Sequence, residues 1–246
     1  MPPVEVMIFA PLILIAAYII FSVSGFGSTL IAVPLLAHLF PLTFVIPLVV
    51  LLDCLAAISM GLRLRNQADK AEFVPLLPFL VIGLLIGAFL LLRVPGEYLL
   101  GGLGVVAAAF GVLYATGKQL TWRVSRRAAF PVGIFAGTTS SMFGVGGPIY
   151  VMYLAARGST PDQIRATVPM IFIFSTTGRI AIFAVAGLFT LEIVYAAVIL
   201  LPFMVLGMWL GNHLHLSISR EQLVRIIGGL LIANGTSLVI RSVATA

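Results

Sequence analysis

The chain alternates between long apolar runs and short polar loops. The first half carries apolar runs at 5–22, 28–40, 43–62, 74–92 and 98–117, and the second at 128–142, 147–156, 166–187, 192–211 and 222–240. The runs are continuous rather than alternating, which predicts membrane helices and excludes a β-barrel. Six of them, 19–22 residues long, suffice to cross a hydrocarbon core. Two others, 28–40 and 147–156, are short, and each follows a glycine-rich break. The breaks read Ser24-Gly25-Phe26-Gly27-Ser28-Thr29 and Ser141-Met142-Phe143-Gly144-Val145-Gly146-Gly147-Pro148. Paired glycine-interrupted apolar segments at matching places in two halves point to the binding site of a secondary transporter.

Composition narrows the class. Of 246 residues, 61% are hydrophobic and 9% charged, so the expected fold is an all-α polytopic membrane protein. No hydrophilic stretch exceeds roughly 15 residues, too few for a soluble domain. The net charge of +6 does not call for a nucleic acid, because basic residues sit in inter-helix loops where membrane topology already places them. The single cysteine, Cys54, allows neither an internal disulfide nor metal-ligand spacing. Nucleotide loops, zinc-hydrolase motifs and Ser/His/Asp groupings are missing, so neither enzyme nor cofactor is expected. The apolar stretch within Met1–Ser24 has no Lys or Arg before it and reads as a retained membrane segment rather than a cleaved leader.

The basic residues choose a topology. If each broken pair is a hairpin that starts and ends on one side, that side collects Arg63, Arg65, Lys70, Lys118, Arg123, Arg126, Arg127, Arg157, Arg165, Arg220 and Arg225, and the other only Arg93 and Arg241. If each pair is one kinked crossing, the bias largely disappears. The hairpin arrangement obeys the positive-inside rule. It makes loops 63–73, 118–127, 157–165 and 212–221 cytoplasmic and places both termini outside.

The halves also repeat. Pro78, Gly83, Gly87, Glu97 and Gly104 recur 124 residues later as Pro202, Gly207, Gly211, Glu221 and Gly228. Pro47 recurs as Pro169 after 122, and Ser24, Phe26 and Gly27 match Ser141, Phe143 and Gly144 after 117. The reading is a first repeat at 1–117, a basic linker at 118–127 and a second, inverted repeat at 128–246. Together they hold 8–10 membrane segments, including the two glycine-broken hairpins, whether these cross fully or re-enter.

Chemistry concentrates at the breaks. A helix restarting inside the membrane exposes N–H groups and a partial positive charge, which suit an anion. Ser24, Ser28, Thr29, Ser140 and Ser141 add hydroxyls. Arg179 lies within 166–187, roughly 12 Å from the nearer end at the helical rise. Ser175 and Thr176 share its face. A charge there is costly and marks a functional position; a structural ion pair or snorkelling is the alternative. Asp53, in the middle of 43–62, aligns with Ser175, and Arg179 aligns with Ala57. A titrating Asp53 would couple transport to protons; a static Asp53–Arg179 pair is the equal alternative. His38, His213 and His215 sit near span ends, facing interfacial water.

The elements Ser24–Pro34 and Met142–Val151, with Arg165-Ala166-Thr167 opening the next helix, resemble the TauE/SafE sulfite exporter family over essentially the whole chain. That resemblance implies transport of sulfite or small organosulfonates across the cell (inner) membrane, often as export, and marks Gly25, Gly27, Gly144, Gly146 and Gly147 as site-forming. Ser28 and Thr29 stand where the family pattern has a glycine pair. The expected site is therefore Ser24, Gly25, Phe26, Gly27, Ser28, Thr29, Ser141, Phe143, Gly144, Gly146, Gly147, Ser175, Thr176 and Arg179, with Asp53 as the proton-coupling candidate. Its partners are a small anion and the lipid bilayer. An anion channel using the same tips as a filter is the alternative.

Overall fold

The computed structural model describes residues 4–116, 123–213 and 220–245, with side chains from 9 onward and outside 214–226 and 245–246. Lys118, Trp122 and His215, with much of the expected 118–127 and 212–221 loops, lie outside the described residues. The described elements are helices: α1 (Val4–Ser24), α2 (Ser28–Leu36), α3 (Leu42–Leu64), a short α4 (Lys70–Phe73), α5 (Leu77–Arg93), α6 (Gly96–Thr116), α7 (Ala129–Phe143), α8 (Gly147–Arg157), α9 (Pro161–Val185), α10 (Leu191–His213) and α11 (Arg220–Thr245). Among the described residues six helical stretches are long and apolar enough to cross a membrane: Leu42–Gln67, Lys70–Arg93, Gly96–Thr116, Pro161–Val185, Leu191–His213 and Ile227–Ala244. These are the six runs of spanning length in the sequence.

Local chemistry sets the boundaries. Gly25 takes a left-handed φ of 82°, and its amide donates to the Phe21 carbonyl at 2.7 Å, closing α1. Gly144, at φ 74°, closes α7 in the same way on Ser140 at 2.9 Å. Only glycine adopts this conformation without a steric cost. The equivalent residues of the two breaks are thus Gly25 and Gly144, 119 residues apart. The sequence spacing of 117 was two residues short, because Ser24 and Ser141 match by type but hold different places in their turns. At the start of α9, Thr160 and Gln163 form a reciprocal capping box, with the Thr160 amide 2.8 Å from Gln163 Oε1. Pro161 fills the first helical position.

Four helix pairs carry the packing: α1 with α10, α5 with α7, α3 with α9, and α6 with α11. Glycines bring the backbones together. A Cβ on Gly207 would lie 2.7 Å from the Ile15 carbonyl, and one on Gly211 2.6 Å from that of Ile19, so α1 and α10 run parallel. Gly83 and Gly87 meet Ile134 and Thr138 the same way, and α5 and α7 are parallel too. Ile134 and Thr138 also lie 119 residues beyond Ile15 and Ile19. Between α6 and α11 the order reverses. Gly104 abuts Gly235, and Gly111 abuts Gly228, which makes these helices antiparallel.

The break between α7 and α8 is a hairpin whose outer ends meet. The Val124 amide, just before α7, donates to the Ala156 carbonyl at 3.1 Å, and Arg157 Nη1 donates to the Val124 carbonyl at 2.8 Å. At 15 and 11 residues, the arms are about 22 and 16 Å long by the helical rise. Both fall short of the roughly 30 Å hydrocarbon core.

Candidate functional site

The two breaks meet in the protein interior. A Cβ on Gly144 would lie 2.7 Å from Thr29 Cγ2, and one on Gly147 would lie 3.1 Å from Phe26 Cβ and 2.9 Å from Phe172 Cζ. Glycine at these two positions lets the tips touch. Gly25 rests against α9, with its missing Cβ directed at the Arg165 carbonyl and Pro169. Rings line the junction: Phe21 stacks on Phe172 at 6.3 Å, Tyr150 meets Phe172 edge-on at 6.1 Å, and Tyr18 meets Phe21 at 6.1 Å.

Two charged side chains are buried here. Arg179 is 2% exposed and Asp53 6%, and the helices carrying them, α9 and α3, pack together. They do not form an ion pair with each other; among the described residues the ion pair is Glu72–Arg157. Asp53 Oδ1 instead accepts from the hydroxyls of Tyr18 at 2.9 Å and Ser28 at 2.8 Å. Charge-assisted bonds of this kind satisfy much of what a buried carboxylate needs. Arg179 Nη1 donates to the Ser140 carbonyl at 2.9 Å, while its Nε has no hydrogen-bond partner. The Ser141 and Ser175 hydroxyls are equally buried and equally without partners. Unpaired buried polar groups are costly. Here three of them gather around one guanidinium: Ser141 follows the residue that anchors it, and Ser175 sits one turn below it on α9. At the neighbouring tip the amides of Gly146 and Gly147 find no backbone acceptor among the described residues, and Pro148 has no amide to give.

The structure divides the other expected residues. Ser24 turns its hydroxyl back onto the carbonyls of Ile20 and Phe26, at 2.7 and 2.5 Å. Thr176 bonds to the Phe172 carbonyl of its own helix at 2.7 Å. The Phe143 ring lies against Gly102 of α6. Gly27, Ser28, Thr29, Gly144, Gly146 and Gly147 form the facing tips. Two tyrosines went unread in the sequence. Tyr18 holds Asp53, and the Tyr150 hydroxyl lies 3.4 Å from Ser140 Oγ. A tyrosine inside an apolar run needs a polar partner for its hydroxyl, and that signal was available at both positions.

One polar cluster lies away from the tips. Glu72 of α4 receives Arg157 Nε at 2.8 Å and Nη2 at 2.9 Å. Arg126 Nη2 donates to the Ala71 carbonyl at 3.1 Å. The Asp69 amide donates to Thr167 Oγ1 at 2.9 Å. Residues of the 63–73 loop, the linker after 122 and the α8–α9 connection therefore gather on one face.

Long apolar helices, two broken segments with touching tips and a buried arginine beside unpaired hydroxyls define the class: a polytopic helical membrane transporter. The family profile described as Sulfite exporter TauE/SafE matches residues 10–238, and the chain belongs to that family. It is 27% identical over 231 residues to the "Probable sulfite/organosulfonate exporter TauE" of Cupriavidus necator, covering 91% of this chain and 90% of that one. It is 28% identical over 193 residues to the "Probable inner membrane transporter protein TsaS" of Comamonas testosteroni, covering 78% and 81%. No solved structure matches the chain.

Proposed function

We propose that the protein exports a small sulfur-containing oxyanion, sulfite or an organosulfonate, across the cell membrane. The observation that carries this reading is the cluster of unpaired buried groups, Arg179 Nε, Ser141 Oγ and Ser175 Oγ, next to the free amides at the start of α8. An oxyanion has acceptors for all of them, and the helix start adds a favourable partial charge. The relative in Cupriavidus necator, whose name specifies sulfite and organosulfonate, supports the choice of anion.

The proposed frame is two inverted repeats, 1–117 and 128–246, joined by the linker 118–127. The antiparallel α6 and α11, whose glycines contact in exchange, support inversion, since repeats of equal orientation would pair them in parallel. Loops 63–73, 118–127, 157–165 and 212–221 are assigned to the cytoplasm on the positive-inside rule, and both termini to the outside. In this reading Asp53 carries the coupling proton. Tyr18 and Ser28 hold its carboxylate against the side of the site opposite the guanidinium.

The test is a melting-temperature screen of purified protein against sulfite, sulfate, thiosulfate, sulfoacetate, taurine and simple carboxylates. A ligand bound only to the native state raises the midpoint by mass action, by about 2.7 kcal/mol of stability at one hundred times Kd. Sulfite or a sulfonate should raise it and carboxylates should not. A shift from carboxylates alone would overturn the assignment.

A further inference from the structure

We propose that the Glu72–Arg157 pair is a latch that fixes the anion-binding tip by holding the far end of α8 and opens during each transport cycle. The inference rests on the reading of the tip as the anion site and adds a control point at the opposite end of the same helix. α8 is 11 residues long, about 16 Å at the helical rise. Its first residues, Gly147 and Pro148, stand at the junction of the breaks, and its last, Arg157, is gripped by Glu72. A helix this short moves as a rod, so the seat of Arg157 sets the position of Gly146 and Gly147. The grip is two-pronged, with Nε and Nη2 on the two carboxylate oxygens at 2.8 and 2.9 Å. Paired contacts of this kind fix direction as well as distance.

The grip also bridges parts of the chain that are far apart in sequence. Glu72 belongs to α4, between α3 and α5, whereas Arg157 ends the second hairpin. Arg157 Nη1 reaches the Val124 carbonyl and Tyr153 Oη lies 3.5 Å from Glu72, so the linker before α7 closes on the same point. The side chains are 22% and 12% exposed, dry enough to hold and wet enough to release. The equivalent place at the end of α2 is built differently. His38 stands 119 residues before Arg157, and there Arg241 Nη1 of α11 donates to the His38 carbonyl at 3.1 Å. A side-chain pair at one hairpin end and a backbone contact at the other make the Glu72 side the switchable one.

The experiment places a reporter cysteine at the tip, Val145→Cys, in a Cys54→Ser background, reconstituted in liposomes. Its reaction with a membrane-impermeant maleimide is followed, and the sulfite-induced melting shift is measured in parallel. Glu72→Gln and Arg157→Gln should each speed labelling roughly tenfold, the equivalent of one charge-assisted hydrogen bond. The exchanged pair Glu72→Arg with Arg157→Glu should restore the slow rate, which a mere loss of stability would not do. The sulfite shift should survive in all of these variants. Unchanged labelling in folded Glu72→Gln protein, or no recovery in the exchanged pair, overturns the latch. Absence of a sulfite shift in the unsubstituted protein overturns the anion site and leaves the labelling result to be judged alone.

Discussion

At the first break two glycines, Gly25 and Gly27, adopt positive φ angles of 82° and 98°; at the second only Gly144 does, and Gly146 sits at φ −93°. Gly27 has open space around it, with an Ile20 methyl 3.7 Å from where a Cβ would be, whereas a Cβ on Gly146 would collide with Ser140 Oγ and lie 3.0 Å from the Tyr150 ring. The first break thus needs glycine for its backbone conformation, and the second needs it for room. The polar groups differ in the same sense. The first break offers Ser28 to a carboxylate that is already held twice, and the second leaves Ser141 and the Arg179 Nε unpaired. Two elements of matching backbone have diverged, one into a satisfied acidic cluster and the other into a site with bonds still to make.

The widest test of that division compares Arg179→Gln with Asp53→Asn. Removing the guanidinium should weaken sulfite binding by about 3 kcal/mol, more than a hundredfold, as truncation of a buried charged donor does. The Asp53→Asn protein should keep its sulfite-induced melting shift and lose the pH dependence of sulfite flux into liposomes. Equal loss of the shift in both would make the two breaks one site. Gly146→Ala comes next: overpacking against Ser140 and Tyr150 should cost about 2 kcal/mol and abolish the shift. Gly27→Ala should cost about 1.5 kcal/mol through backbone strain alone, seen as a lower melting temperature with the sulfite shift intact. The smallest effect belongs to Ser28→Gly, which gives the first break the residue found at Gly147. Asp53 keeps Tyr18, so the loss should be about 1 kcal/mol, read from the melting midpoint without sulfite.

Much of this was legible in the sequence. The six spanning helices follow from hydropathy, because a continuous apolar run of that length has few other uses. The breaks were visible because glycine inside an apolar run is conspicuous. Gly83, Gly87, Gly207 and Gly211 lie at helix contacts, as their four-residue spacing predicts. What escaped depends on distance through space. The bond from Tyr18 to Asp53 joins residues 35 positions apart, and that from Arg157 to Glu72 joins residues 85 apart. No local pattern encodes either. Likewise, Asp53 and Arg179 were each conspicuous as buried charges, but nothing in their spacing said that each takes hydroxyl or carbonyl partners instead of the other.

The pairing of α1 with α10 and of α5 with α7 has a mechanical consequence. The first helix of each half is gripped by the fourth long helix of the other, so the two halves are clasped like folded hands. Neither can swing as a solid block without dragging fingers of its neighbour. The body that moves when the pathway opens to the other side is therefore a mixed group of helices from both ends of the gene. For the same reason, polypeptides ending near 117 and beginning near 128, made separately in one cell, should purify together and not apart.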